Sequence, residues 1–417
     1  MAPSRRRQRE RSSGSTSSSS NSLDGDDHHH HANSRKKKKN DTHHARRPPM
    51  SAWRAQKLPA WQPLMTPKTT ISVLFLTGLI IAPIGAVIFY FSLRRDYIAF
   101  DYTACRTAAT ASPADMPPAS YTYQIDDSAA RNTSYPAPQW AYVPNDAAPA
   151  GSACRLLFTL PQAIPTPVLL AYRLTNFHQN HRKYVKGVDT DQMKGDAVAP
   201  ASLETLCRPF SQDPQSGKAI YPCGLIANSI FNDTFSDPII ANPDGSLTMT
   251  TFPMAESNLV LAADRKKYAV SRYNPADVVP PPFWRGSTKG PYGYAAGYSD
   301  GSAGASNDSR PLFDPTKDEH FMVWMNTAAL PNFEKLYKRS DTTPMGAGRY
   351  AIEIFDNWPV DGFKGTKSLV LTTAAWNGSR NLLLGLVTLG AGGLCLILAL
   401  VFTARHVIKP RKLGQFK

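Results

Sequence analysis

The stretch from Ile71 to Leu93, ISVLFLTGLIIAPIGAVIFYFSL, contains no charged side chain. A helix of its length, about 23 residues at ~1.5 Å each, is roughly 34 Å long. It therefore spans the ~30 Å hydrocarbon core of a bilayer. The run lacks the polar stripe of an amphipathic helix in a soluble core. It is also longer than the apolar region of a cleavable signal peptide. We predict a membrane-spanning signal anchor.

A second uncharged run, from Leu382 to Ala404, predicts a second spanning helix. Basic side chains are concentrated outside the two runs: residues 1–70 hold 15 Lys/Arg and 5 Asp/Glu, and residues 405–417 hold five Lys/Arg and no acid. Because basic segments stay on the cytosolic side of membranes, both tails are predicted to be cytosolic and the intervening region exoplasmic. Arg94, Arg95 and Arg380 are exceptions to this bias, but the tails outnumber them.

The net charge of +15 first suggests a nucleic-acid-binding protein. The part between residues 71 and 404, however, carries 27 basic and 27 acidic side chains and is neutral. All the excess charge lies in the tails, so no nucleic-acid partner is predicted. Residues 1–52 are low in complexity, with a Ser-rich tract and the run RKKKK, and are predicted to be a disordered basic tail. This tail either binds anionic cytosolic lipid or only sets topology.

Four of the five cysteines lie between the two runs: Cys105, Cys154, Cys207 and Cys223. In an oxidising exoplasmic compartment they are expected to form disulfides, and four cysteines allow three pairings. A zinc site is the alternative, but no CxxC spacing supports it. The same region contains four N-x-S/T sequons, at Asn132, Asn232, Asn307 and Asn377, which predict N-glycosylation.

The region from 94 to 381 shows short runs in which apolar and polar residues alternate, as in half-buried strands. Strands separated by Pro/Gly-rich connections favour an antiparallel β or α+β ectodomain. Residues 94–150 and 278–308 are predicted to be mostly loop. Short helices are expected at residues 176–187 and 330–339, and strands start at Cys154, Val168, Arg349 and Lys367.

The sequence contains no complete match to the catalytic motifs considered. The sequence GFKGTKS, from Gly362, lacks the spacing of a phosphate-binding loop. His178 and His181 do not form an HExxH motif, and no GxSxG elbow occurs. We therefore predict that the chain has no catalytic residues, metal or cofactor of its own.

Small residues in the first span, Gly78 and Ala82, allow close approach of another helix, either the second span or a helix of a partner protein. Pro83 lies next to them and predicts a kink. Before the span, the segment KLPAWQP contains Trp61 and Pro63, and tryptophan favours the membrane interface.

Several longer motifs occur in order along the chain and carry a family resemblance. They are KLPAWQP, LTNFHQNHRKYVKG, YPCGLIANSIFNDTF, VWMNTAALPNFEKLYKR and NWPVDGFKGTKSLVLTTAAWNGSRN. In these motifs the chain resembles the cell-division-cycle-fifty (ligand-effect-modulator) family. Members of that family are accessory β-subunits of type IV P-type ATPases, the phospholipid flippases.

The resemblance implies a glycosylated ectodomain with Cys105 paired to Cys154 and Cys207 paired to Cys223. It also implies a non-catalytic role in endoplasmic-reticulum exit, stability and activity of the ATPase. The ATPase would be the partner, with the phospholipid bilayer. Trp61, Pro63, Gly78, Ala82 and Pro83 are the expected contacts with it. The alternative is a free-standing surface receptor or adhesion glycoprotein.

The predicted architecture is a membrane protein with two transmembrane helices flanking a mainly antiparallel β, disulfide-bonded ectodomain. Its expected location is the endoplasmic reticulum, Golgi, endosomes or plasma membrane. The predicted segments are a basic tail (1–52), an interfacial segment (53–70), the first span (71–93), the ectodomain (94–381), the second span (382–404) and a basic cytosolic tail (405–417).

Overall fold

The computed structural model describes residues 53, 56, 66–125, 136–145, 151–242, 246–285, 298–299, 310–374, 378 and 380–410. The chain divides into two compact units, Met1–Leu64 and Met65–Lys417. In the first unit only Trp53 and Gln56 are described, and the Gln56 amide donates to the Trp53 carbonyl (3.1 Å). The predicted contacts Trp61 and Pro63 lie outside the described residues.

Two long helices, α1 (Pro67–Leu93) and α9 (Leu382–Ile408), are long and apolar enough to cross a membrane. Each has 27 residues and is therefore about 40 Å long. Helix α1 begins at a proline after the N-cap Thr66, whose hydroxyl accepts from the Thr69 amide (3.3 Å). Asn381 caps α9 in the same way, accepting from the Leu384 amide (3.0 Å). These helices confirm the two predicted spans.

The remaining helices lie in the ectodomain and are short. The α-helices are α2 (Cys105–Ala108), α3 (Arg182–Val185), α4 (Thr190–Met193), α5 (Pro200–Cys207), α6 (Gly224–Asn228), α7 (Ala262–Arg265) and α8 (Glu319–Met325). Single 3-10 turns occur at Pro118–Ser120, Pro275–Asp277, Pro282–Trp284 and Asp361–Phe363.

The first sheet, sheet A, is fully antiparallel and joins the ectodomain to both spans. Its central strand, β16 (Lys367–Thr373), pairs with β1 (Tyr97–Asp101), so that Tyr97 faces Thr372 and Asp101 faces Ser368. In spatial order its strands are β14 (Phe333–Ser340), β6 (Val168–Leu174), β16 (Lys367–Thr373), β1 (Tyr97–Asp101) and β3 (Tyr121–Gln124).

The second sheet, sheet B, is also antiparallel. In order its strands are β10 (Leu247–Thr251), β9 (Ile239–Ala241), β15 (Gly348–Phe355), β5 (Ser152–Leu160), β4 (Gln139–Pro144) and β2 (Ala114–Asp115), with β8 (Thr234–Phe235) pairing beside β15. Two short parallel pairs complete the described strands: β7 (Ala219–Ile220) with β11 (Val278–Val279), and β12 (Tyr298–Ser299) with β13 (Arg310–Pro311).

The main hydrophobic core lies between the two sheets. Phe100 of β1 contacts Phe158 of β5, with ring centroids 5.1 Å apart, and Phe158 stacks on Tyr350 of β15. All three side chains are almost completely buried. Rings of this size bury 150–250 Å² each and dominate the energy of such a core. The mainly antiparallel ectodomain predicted from the alternating runs is confirmed.

Two predictions for the ectodomain were wrong. Residues 330–339 were expected to be helical, but Phe333–Ser340 form edge strand β14. Residues 94–150 were expected to be loop, yet they supply β1, β2, β3 and β4. The helix expected at 176–187 is confirmed only at α3. Within 278–308, predicted to be mostly loop, the described part contains β11, β12 and the fully buried Trp284.

Candidate partner interface

Small residues line the contact between α1 and α9. The buried positions are Gly78, Gly85 and Ser92 on α1, and Gly385, Gly392 and Ala399 on α9. On each helix they are spaced by seven, which keeps a straight seam facing a partner helix when the two supercoil left-handedly. The contacts are antiparallel, because Gly78 meets Leu396 whereas Gly385 meets Phe89.

The two helix backbones touch along this seam. A Cβ built on Gly85 would lie 2.3 Å from the Leu389 amide nitrogen, and one on Gly392 would lie 2.5 Å from the Ala82 nitrogen. Ordinary carbon contacts are about 3.5–4.0 Å. Only glycine therefore fits at these positions, and the helices pack at the small-residue distances known from membrane interfaces.

This packing bears on Gly78 and Ala82, which were predicted to meet either the second span or a helix of a partner protein. Both residues face α9 within the same chain. Pro83 does not, since it is exposed within α1 and is followed by the half-exposed Ile84. Of the described positions predicted to contact a partner, only Pro83 lies on the outer face of the helix pair. The seven-residue spacing was visible in the sequence but was not used.

A set of hydrogen bonds ties the helix pair to sheet A. The Ser92 hydroxyl donates to the Asn381 carbonyl (3.3 Å), and the Gln124 amide group donates to the Leu93 carbonyl (3.1 Å). Asp96 then accepts from the Thr373 amide through its backbone carbonyl (3.2 Å). We call these contacts the juxtamembrane joint. Since neighbouring strands β1 and β16 lead into the two helices, the joint fixes the ectodomain to both spans.

A buried ion cluster holds two of the quoted motifs against β16. The Lys367 ammonium contacts the carboxylates of Asp233 (2.7 Å) and Asp356 and donates to the Trp358 carbonyl (2.7 Å). Lys367 and Asp233 are each 1% exposed. Tyr102 donates to Asp233 (2.8 Å).

Every polar group at the centre of the ion cluster has a partner. The second Asp233 oxygen accepts from the amides of Asn357 and Trp358, both at 2.6 Å. Burial raises the pKa of Asp233, an effect that Lys367 opposes, and burial also raises the pKa of Tyr102. With all three ammonium protons used, the cluster is structural and offers no free acid, base or nucleophile. Sequence analysis missed it, because Tyr102, Asp233 and Lys367 are more than a hundred residues apart from one another.

Lys335 is a second buried lysine. Its amine donates to the carbonyls of Val323 (2.8 Å), Trp324 (3.2 Å) and Asn326 at the end of α8. These are carbonyls that a helix leaves without intrahelical partners. Burial lowers the pKa of Lys335 to about 7.

The structure contains the disulfides Cys105–Cys154 and Cys207–Cys223, with Cα atoms 6.1 and 5.6 Å apart. This is the pairing implied by the resemblance. The first disulfide joins α2, which follows β1, to β5 of the other sheet, and the second joins the end of α5 to the start of α6.

Of the four predicted glycosylation sites, the structure describes only Asn232; Asn132, Asn307 and Asn377 lie outside the described residues. Asn232 is 7% exposed, and its backbone carbonyl accepts from the Asn357 side chain (3.3 Å). Glycosylation remains a prediction at all four positions. Among the described residues, no group of three or more His, Cys, Asp or Glu side chains is placed to hold a metal ion.

Comparison with known proteins gives the family. Residues 88–412 match the LEM3 (ligand-effect modulator 3) family / CDC50 family. The chain is 36% identical over 379 residues to the phospholipid-transporting ATPase accessory subunit CDC50 of Chaetomium thermophilum, covering 88% of this chain and 89% of that protein. It is 35% identical over 367 residues to the accessory subunit CRF1 of Saccharomyces cerevisiae, covering 88% and 86%.

A more distant relative is cell cycle control protein 50A of Bos taurus, 32% identical over 370 residues and covering 85% of this chain and 88% of that protein. The family match covers the last six residues of α1, the whole ectodomain and all of α9. The chain belongs to the LEM3/CDC50 family.

Proposed function

We propose that this chain is the non-catalytic β-subunit of a phospholipid-transporting type IV P-type ATPase. The observation that carries the proposal is the similarity, over most of both chains, to proteins named as accessory subunits of such ATPases. The subunit would assist the ATPase in leaving the endoplasmic reticulum and in moving phospholipid to the cytosolic leaflet. A subunit that binds some pump states more tightly than others shifts their populations by its differential affinity.

The geometry supports a role in which the subunit acts as one rigid body. The glycine seam closes the helix pair against itself, so its outer face, including Pro83 and Ile84, is available to a partner helix. The juxtamembrane joint ties the same helices to sheet A. Contacts made in the membrane and contacts made by the ectodomain are therefore mechanically linked. Trp61 and Pro63 are proposed as further contacts on the cytosolic side.

Topology is part of the proposal. Both basic tails would lie in the cytosol and the ectodomain in the exoplasmic space, in the endoplasmic reticulum, Golgi, endosomes or plasma membrane. We propose glycans at Asn132, Asn232, Asn307 and Asn377. Endoglycosidase should then shift the mobility of the wild type but not of a variant lacking all four asparagines. A shift that instead depends on Asn40, in the N-terminal tail, would invert the orientation.

Affinity purification in mild detergent tests the partner. A P-type ATPase of over about a hundred kilodaltons, the size that the family resemblance implies, should co-purify in near-equal amount. Pro83→Leu together with Ile84→Ala should weaken this association. Leu400→Ala, on the exposed face of α9, shows for comparison how much a substitution on the other helix affects it. Purification of a folded, disulfide-bonded chain without any ATPase would refute the proposal and favour a free-standing receptor or adhesion protein.

A further inference from the structure

Three arginines lie at the ends of the helix pair next to the ectodomain. Arg94 and Arg95 directly follow α1, and Arg380 comes two residues before α9. The uncharged run that ends at Leu93 is roughly 34 Å long, slightly more than the ~30 Å hydrocarbon core. The headgroup layers add about 5–7 Å on each side. We therefore expect the helix ends that carry the three arginines to lie at the level of the lipid phosphates.

Contacts across the two helix ends hold the arginines at this level. Ser92 is hydrogen-bonded to Asn381, and the Arg380 guanidinium lies over the Tyr97 ring, 5.2 Å from its centroid. These two contacts join the segment that carries Arg94 and Arg95 to the segment that carries Arg380. Arg94 itself lies over Tyr90, a half-exposed ring on the outer surface of α1, at 4.7 Å.

The arginines lack anionic partners within the described part of the chain. The ion pairs found there involve none of Arg94, Arg95 and Arg380. The Nε atoms of Arg95 and Arg380 are also buried without a hydrogen-bond partner. A buried, charged donor without a hydrogen-bond partner is unfavourable, so these two guanidinium groups call for an acceptor.

We propose that Arg94, Arg95 and Arg380 form a binding site for the phosphate of a phospholipid in the leaflet next to the ectodomain. A guanidinium group binds phosphate oxygens through paired, charge-assisted hydrogen bonds. The bilayer supplies phosphate at the required depth, and the tyrosine under Arg94 faces the lipid side of α1. The site also accounts for three basic residues on the side of the membrane where the distribution of charge disfavours them. It does not depend on the proposed ATPase.

Binding of radiolabelled phosphatidylcholine to the purified full-length chain in detergent micelles tests the site. Saturable binding of about one lipid per chain is expected, and diacylglycerol with the same acyl chains should not compete. Arg95→Gln combined with Arg380→Gln should weaken binding at least tenfold. The matched control is Arg405→Gln at the opposite end of α9, which should leave binding unchanged.

Three results would overturn the proposal. The first is equal competition by diacylglycerol in the wild type, a measurement that needs no variant to fold. The second is undiminished phosphatidylcholine binding in the double variant. The third is a double variant that keeps its lipid but loses a co-purifying ATPase, since the arginines would then bind an acidic protein surface. If the double variant does not fold, Arg94→Gln on the exposed side must itself reduce binding severalfold.

Discussion

Gly85→Ala probes the helix seam most directly. The added methyl group would lie 2.3 Å from the Leu389 nitrogen and 2.6 Å from its Cα atom. Contact at about 3.5 Å therefore requires the backbones to separate by roughly 1 Å at this point. Overpacking of this kind costs about 1–3 kcal/mol. We expect opening of the helix pair to become about 5- to 150-fold more frequent.

The control is Gly390→Ala, at a glycine of α9 where an added Cβ meets nothing within 4 Å. Alanine is favoured over glycine in helices by up to about 1 kcal/mol. Both substitutions receive this gain, so the difference between them isolates the clash.

Cys395 provides the assay, because the other four cysteines are in disulfides and Cys395 is the one free thiol of the chain. A maleimide dye that fluoresces on reaction with a thiol should label Gly85→Ala faster, and at a lower temperature, than either the wild type or Gly390→Ala. Equal labelling of the two glycine variants in the same detergent would show that the backbones do not touch at Gly85.

Three further variants test the ectodomain. Lys367→Met leaves the buried Asp233 carboxylate without its cation and should cost about 3–5 kcal/mol, measured by thermal unfolding. Lys335→Met should remove a pH dependence of stability. The pKa of Lys335 is about 7 in the folded protein and near 10.4 in the unfolded chain, so between these values the unfolded chain binds the extra proton. The free energy of unfolding of the wild type should therefore rise between pH 7 and 10, by at most about 1.4 kcal/mol per pH unit. Serine at both Cys207 and Cys223 should cost about 3 kcal/mol, because the disulfide closes a short loop.

Lys266→Met, at an exposed lysine, is the control for both lysine variants and should behave as the wild type. If Lys367→Met unfolds at the same temperature as Lys266→Met, the Asp233 carboxyl is neutral or solvated in the folded protein. A wild-type stability that stays flat from pH 7 to 10 would mean that the carbonyls around Lys335 keep it charged when folded. For the disulfide, an unfolding temperature of the wild type that stays unchanged in reducing buffer would contradict the expected loss of about 3 kcal/mol.

The sequence was most informative where one physical requirement dominates. Both spans followed from the absence of charge over a bilayer's width, and the strands from Val168 and Lys367 followed from alternation. Strand β14 was mistaken for a helix, and the inward positions that would have marked it as a strand include two lysines, Lys335 and Lys338. In the structure both are buried, Lys335 against carbonyls of α8 and Lys338 in ion pairs with Asp237 and Glu256.

The candidate site depended in the same way on partners distant in the sequence. Gly78 and Ala82 were correctly identified as helix-contact residues, but the pattern could not say which helix they would meet. The unpaired atoms of Arg95 and Arg380 became apparent only when the ends of both helices were placed beside sheet A. The spacing of residues along one segment predicts which face of a helix makes contacts. Which element that face contacts depends on the tertiary fold.

The pairing of β1 with β16 also determines when sheet A can be completed during synthesis. Tyr97 pairs with Thr372, so β1 is synthesised long before its partner strand exists. At 5–20 residues per second, the roughly 270 residues between them take about 15 to 50 seconds to synthesise. During that interval β1 has one side without a strand, and exposed strand edges are prone to wrong pairing. The last ectodomain strand to be made thus completes the centre of sheet A, and the second helix closes the glycine seam immediately afterwards.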